Sequence, residues 1–129
     1  MTALQSSTIL VGRILLAAIF LLPGLNKIGS YEGTAAYMAS QGVPALLLPA
    51  VIALEVGGAL ALIGGLYTRL SSLLLAGFCV LSAALFHANI GDQTQFALAF
   101  KNLAMAGGFL ILAAHGPGRY SLDARRAQA

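Results

Sequence analysis

The chain has 129 residues, 59% of them hydrophobic and only 9% charged, whereas a soluble domain carries roughly 25% charged residues. That balance excludes a water-facing globule, and the length allows one domain over residues 1–129. The net charge of +3 is scattered over segment ends and the tail, a distribution that suits anionic lipid headgroups and argues against nucleic acid as a partner.

About 20 apolar residues cross a bilayer, and four segments meet that requirement: Thr8–Ile28, Ala45–Leu66, Leu70–Ala88 and Phe96–His115. Backbone polar groups cannot be left open to lipid, so each segment must be a helix. The expected fold is therefore all-α, a polytopic membrane four-helix bundle. Met1–Ser7 lacks a basic stretch or a cleavage site, so the first span reads as retained and not as a removed signal peptide. Within it, Arg13, Phe20 and Lys27 recur every seven residues, which places both charges on the inward face. Pro23-Gly24 removes a backbone bond from the carbonyl of Ile19 and predicts a kink.

The first joint, Gly29–Pro44, holds Ser30 as an N-cap, Gly42 as a stop and Pro44 beyond it. Tyr31, Ala35 and Met38 share a face between them, predicting a short interfacial helix between the first two spans. In the second span, Pro49 fits only a first turn or a kink. Glu55 stands near the centre of this span, and a charge in hydrocarbon costs at least ~2.5–3.5 kcal/mol, so it should face protein. The third span contains Cys79, which has no cysteine to pair with and reads as a small hydrophobe, and ends at His87. The fourth carries Lys101 and Asn102, and Gly116-Pro117-Gly118 ends it, leaving 116–129 as a basic tail.

A rise of ~1.5 Å per residue sets the depths of these groups. Glu55 lies ~15 Å into its helix, Lys101 and Arg13 ~7–8 Å from opposite ends of theirs, and Lys27 and His87 within about one turn of an end. Depth thus leaves Lys101 and Arg13 as the two reachable partners of Glu55. Gly58 and Gly108 lie beside the charges on their helix faces, letting backbones approach closely. Arg13, Arg69, Arg119, Arg125 and Arg126 fall on the side shared by both termini, which positive-inside counting assigns to the cytoplasm. Glu55 with Lys27, His87, Lys101 and Asn102 then predicts a polar pocket in the opposite half of the membrane, because intramembrane ionisable groups usually mark a site.

His87 and His115 end their helices on opposite sides, so they cannot share a haem, and no cysteine cluster or spaced ligand set suits iron–sulfur or zinc. No metal site is expected. Electrons, if they pass, travel on a bound molecule or a partner subunit.

The order of Gly12-Arg13, Pro23-Gly24-Leu25-Asn26-Lys27, Ala36-Tyr37-Met38, Gly42-Val43-Pro44, Glu55-Val56-Gly57-Gly58, Gly65-Leu66-Tyr67-Thr68-Arg69, Phe100-Lys101-Asn102-Leu103 and Gly107-Gly108 resembles the DoxX family of small bacterial membrane proteins. The resemblance covers most of the chain from Val11 to Gly108. It implies a multi-pass protein of the bacterial inner membrane and, by analogy with a thiosulfate:quinone oxidoreductase subunit, a quinone-linked role that requires a redox partner subunit. It carries over Arg13, Lys27, Glu55, Lys101 and Asn102 as ligand-binding candidates, with His87 a weaker match. Glu55 and Lys101 are the candidates for chemistry, and Arg69, Pro23, Gly24, Gly58 and Gly108 are expected to be structural. The leading reading is a redox-associated subunit whose pocket takes a quinone or a small redox ligand. A non-catalytic scaffold and a small-molecule carrier stay open beside it, as does a homo-oligomer.

Overall fold

The computed structural model describes residues 1–128. It contains six helices and no strand among those residues: α1 Ala3–Gly29, α2 Tyr31–Ser40, α3 Ala45–Gly64, α4 Thr68–Phe86, α5 Gln93–His115 and α6 Leu122–Gln128. Of these, α1, α3, α4 and α5 are each long and apolar enough to cross a membrane. The all-α four-helix bundle expected from hydropathy is the observed architecture. Large apolar side chains such as Leu15, Leu22, Leu46, Leu70 and Ile111 stand exposed around it, an outer surface made for lipid.

Local chemistry sets the helix ends. α1 starts five residues before the expected Thr8 because Thr2 and Gln5 form a reciprocal capping box, with Gln5 N–H donating to Thr2 Oγ1 at 3.1 Å and Thr2 N–H to Gln5 Oε1 at 2.8 Å. Ser30 does not cap α2 through its side chain. Its N–H closes α1 on the Asn26 carbonyl at 3.0 Å, so the residue ends one helix while opening the next. α2 stops as expected around Gly42, whose φ of +77° is the left-handed conformation glycine favours. Gly42 N–H donates to Ala39 and Val43 N–H to Met38, at 3.1 and 2.9 Å, and buried Val43 and Met38 pack together across this cap.

α3 is a composite of four segments with three different pitches. A 3₁₀ turn at Ala45–Leu47 precedes an α turn at Leu48–Ile52, where Pro49 sits in the tolerated first turn. A π turn then runs over Ala53–Gly57, and ordinary α-helix resumes to Gly64. Gly65, with φ +69°, ends α3 two residues short of Leu66, and α5 begins on Asp92, whose Oδ1 accepts from Gln95 N–H at 3.0 Å.

The main core cluster is built on Phe20 and Ala17 of α1, Ala59 and Leu62 of α3, Leu75 and Cys79 of α4, and Ala106 and Phe109 of α5, and a smaller one of Met38, Val43 and Leu48 lies under α2. Glycines set the spacing. A Cβ on Gly58 would stand 3.3 Å from Leu75, and one on Gly108 would stand 3.4 Å from Leu16.

The segment after Gly116 is not merely a tail. α6 docks against the α3–α4 turn, where Asp123 accepts from the N–H groups of Tyr67 and Thr68, each at 2.8 Å, and donates its own N–H to Gly65 O at 2.9 Å. Arg126 lies over the Tyr67 ring, 4.8 Å from its centroid. Partial burial pushes the Asp123 carboxyl upward. The N–H donors and Arg126 outweigh that and hold it below the usual carboxylate range.

Candidate functional site: an intramembrane cavity under α2

Beneath α2 the bundle opens into a cavity of about 470 Å³, within the range of small-molecule sites (~300–1,000 Å³). It lies in the half of the bundle away from the termini. Its walls are mostly apolar: Phe20 and Pro23 from α1, Val51 and Leu54 from α3, Phe78, Cys79 and Leu85 from α4, and Met105 from α5. α2 roofs it with Thr34, Tyr37 and Met38. Tyr37 is stacked on Phe86 at 5.6 Å between ring centroids, a contact worth about 0.5–1.5 kcal/mol beyond burial, which clips the roof to the end of α4.

Glu55 lines this cavity and is only 2% exposed. It sits on the π turn, a wider turn often found at functional sites. The bundle pairs it with Lys27, whose Nζ donates to Glu55 Oε1. This corrects the expected choice between Lys101 and Arg13. Counting axial rise from helix ends ignores side-chain tilt, and Cβ atoms lean toward the N-terminus of their helix. α1 and α3 are antiparallel, so Lys27 leans away from its helix end while Glu55 leans toward it, and the two groups meet. Gly24, one turn from Lys27, brings the backbones together. A Cβ there would stand 2.9 Å from Val56 Cγ2 and 3.2 Å from Glu55 Cβ.

Arg13 is not at the cavity. It is 1% exposed and spends its planar fork on four backbone carbonyls at the termini end: Nε on Leu62, Nη2 on Ile63, and Nη1 on Pro117 and Tyr120, at 2.7–2.9 Å. It thus caps the C-terminal end of α3 and ties the segment after α5 to α1. Arg69 does the same for α5, with Nη1 on Ala113 and Ala114 at 2.9 and 2.7 Å and Nη2 on His115 at 3.3 Å.

The remaining candidates line the cavity. His87 Nδ1 lies 2.8 Å from Gln95 Oε1, joining the ends of α4 and α5. Lys101 forms no ion pair among the described residues and stays largely exposed beside the cavity. Asn102 is 8% exposed and faces the same space. Cys79, read as a small hydrophobe, is buried in the core and also forms part of the wall. Thr34 and Ser82 were not singled out by sequence, and Tyr37 entered only as part of the Ala36-Tyr37-Met38 motif. The helical signal of α2 and the polar residues expected in the same half pointed to a covered pocket, but not to which α2 side chains face it. The cavity therefore combines an apolar, aromatic wall with a half-buried ion pair, a lysine without an ion-pair partner among the described residues, and a buried amide. That combination suits a flat amphipathic molecule with polar atoms at its head. Among the described residues no group of three or more His, Cys, Asp or Glu side chains could hold a metal ion.

The DoxX family model matches residues 8–88. The chain is 46% identical to "Inner membrane protein YqjF" of Escherichia coli (strain K12), over 95% of both chains. It is 38% identical to "Inner membrane protein YphA" of the same organism, over 91% of this chain and 89% of that relative. No solved structure matches it. With four apolar spans of its own and a family match over more than half its length, the chain is an integral membrane protein that belongs to the DoxX family.

Proposed function

We propose that this protein is an inner-membrane subunit that binds a quinone, or a small ring ligand of quinone type, in the cavity under α2. The observation that carries the reading is the Lys27–Glu55 pair, its carboxylate buried, set into a cavity whose walls are mostly apolar and aromatic. An ion pair in a low-dielectric interior adds little net stability, whereas beside a void it supplies a fixed dipole for a polar ligand head. Lys101 and Asn102 add donors suited to a ring carbonyl, and the apolar walls suit the ring. The inner-membrane setting rests on the names of the two relatives. The basic residues Arg69, Arg119, Arg125 and Arg126 at the termini end favour a cytoplasmic location for both termini, so the cavity lies in the periplasmic half. Electron transfer would draw on a partner subunit, because this chain supplies only the bound ligand's surroundings.

The test is equilibrium binding of a short-chain ubiquinone to the purified protein in lipid nanodiscs, corrected for partition into empty nanodiscs. Saturable binding is expected, weakened about tenfold or more by Glu55→Gln. Absence of saturable binding to the unmodified protein would overturn the proposal.

A further inference from the structure

Two hydrogen-bonding groups in the cavity are left over by the protein itself. Lys27 occupies Oε1 of Glu55, while Oε2 takes no hydrogen bond from any described residue, although Glu55 is 98% buried. Asn102, 92% buried, also leaves its amide oxygen and amide N–H₂ without a partner among the described residues. Neither belongs to the atoms sealed from all space without a partner, which are the hydroxyls of Ser6, Thr68 and Ser72. The unused valences of Glu55 and Asn102 therefore open into the cavity both residues line.

Their chemistry restricts what can satisfy them. A carboxylate oxygen only accepts, and an amide both accepts and donates. A ligand carbonyl could receive from Asn102 N–H₂ or Lys101 but would leave Glu55 Oε2 and Asn102 Oδ1 unsatisfied. A site built around a hydroxyl discriminates strongly against an analogue lacking it, because its buried polar groups are then stranded. Charge narrows the choice further. The cavity holds two lysines and one glutamate, so a cationic head is repelled, and an anionic head would stand against the open oxygen of Glu55.

Resting on the reading of this cavity as a ligand site, we infer that its preferred occupant presents a neutral, hydrogen-bond-donating hydroxyl on an aromatic ring, a phenol or hydroquinone, received by Glu55 and Asn102. The ring lies against Phe20 and Phe78, which border the same space. The cavity thus favours the reduced, hydroxylated form of a ring ligand over its carbonyl form.

The experiment compares a medium-chain 4-alkylphenol with its methyl ether on the full chain in lipid nanodiscs, each corrected for partition into protein-free discs. The two probes match in shape and apolarity and differ in the donated proton. The phenol is expected to bind at least tenfold more tightly, and Asn102→Leu to bring it down to the level of the ether while thermal unfolding stays cooperative. Equal affinities for the two probes on the unmodified protein would overturn the inference, with no variant needed. Retention of the full preference by Asn102→Leu would overturn the role of Asn102. If a short-chain quinone binds while the probes are not distinguished, this inference falls and the quinone reading stands. If the phenol binds and the quinone does not, the reverse holds.

Discussion

The Lys27–Glu55 pair is where a single substitution should speak most clearly. Glu55 is buried and Lys27 keeps 29% of its side chain exposed, so removing the lysine strands a carboxylate whose outlet is a cavity with mostly apolar walls. Breaking such a pair costs roughly 3–5 kcal/mol when both partners are buried. Lys27→Met is therefore expected to destabilise the bundle by about 3 kcal/mol, measured by reversible unfolding in mixed micelles. The double variant Lys27→Met with Glu55→Gln should recover most of that loss. Lys101→Met removes no ion pair and should stay within about 0.5 kcal/mol. A second residue-scale prediction concerns Arg13. Lysine cannot reproduce a planar fork that reaches four carbonyls at once, so Arg13→Lys should cost about 2–3 kcal/mol, on the scale of hydrogen bonds to a charged group. Ligand affinity should remain within about twofold, because Arg13 lies at the opposite end from the cavity. Sequence placed Arg13 and Lys27 on the inward face, but helical periodicity reports direction and not partner. The carbonyls that take Arg13 come from the end of α3 and the segment before α6, a meeting of residues 49 to 107 positions apart that no local pattern announces.

At the scale of elements, the approach of α1 to the π turn of α3 decides whether the site exists. Gly24→Val would drive a branched side chain into Val56 and the Glu55 Cβ, closer than side chains pack. The expected outcome is an overpacking cost of about 1–3 kcal/mol, with a larger proportional loss of ligand binding, because separating the helices pulls Lys27 from Glu55. Thermal unfolding and equilibrium binding on the same sample check both. The four spans were legible because hydropathy integrates over ~20 residues and each span stands far above its joints. The π turn was not. Its residues keep ordinary right-handed helical backbone angles at both flanks, and one residue more per turn leaves no mark in so uniformly apolar a run. The early start of α1 was missed for a related reason: the Thr2–Gln5 box is polar chemistry, invisible to a search for apolar length. Asn102 and Glu55 were recognised as polar groups in the wrong solvent, while the roof residue Thr34 had nothing to set it apart from an ordinary interfacial helix, and the motif around Tyr37 gave no direction for its side chain.

For the whole molecule, the two ends of the bundle do different work. The termini end is closed by Arg13, Arg69 and the docked α6, whereas the α2 end holds the cavity. Asp123 couples α6 to the α3–α4 turn, and its folded-state pKa lies below its unfolded value. Its contribution is therefore present above the ordinary carboxylate range and lost as pH falls through the lowered folded value. As pH falls below the ordinary carboxylate range and through that lowered folded value, the amides of Tyr67 and Thr68 should lose protection from hydrogen exchange. Asp123→Asn should weaken that protection already at neutral pH, with binding at the cavity unaffected. The account as a whole stands on where a ligand binds, and the most direct measurement is photolabelling with an azidoquinone in nanodiscs followed by peptide mapping. Saturable label confined to the cavity-lining residues of α1, α2, α3, α4 and α5, displaced by excess unlabelled quinone and reduced by Glu55→Gln, is the predicted result. Label concentrated at the termini end, or spread over the lipid-facing surface without displacement, would contradict it.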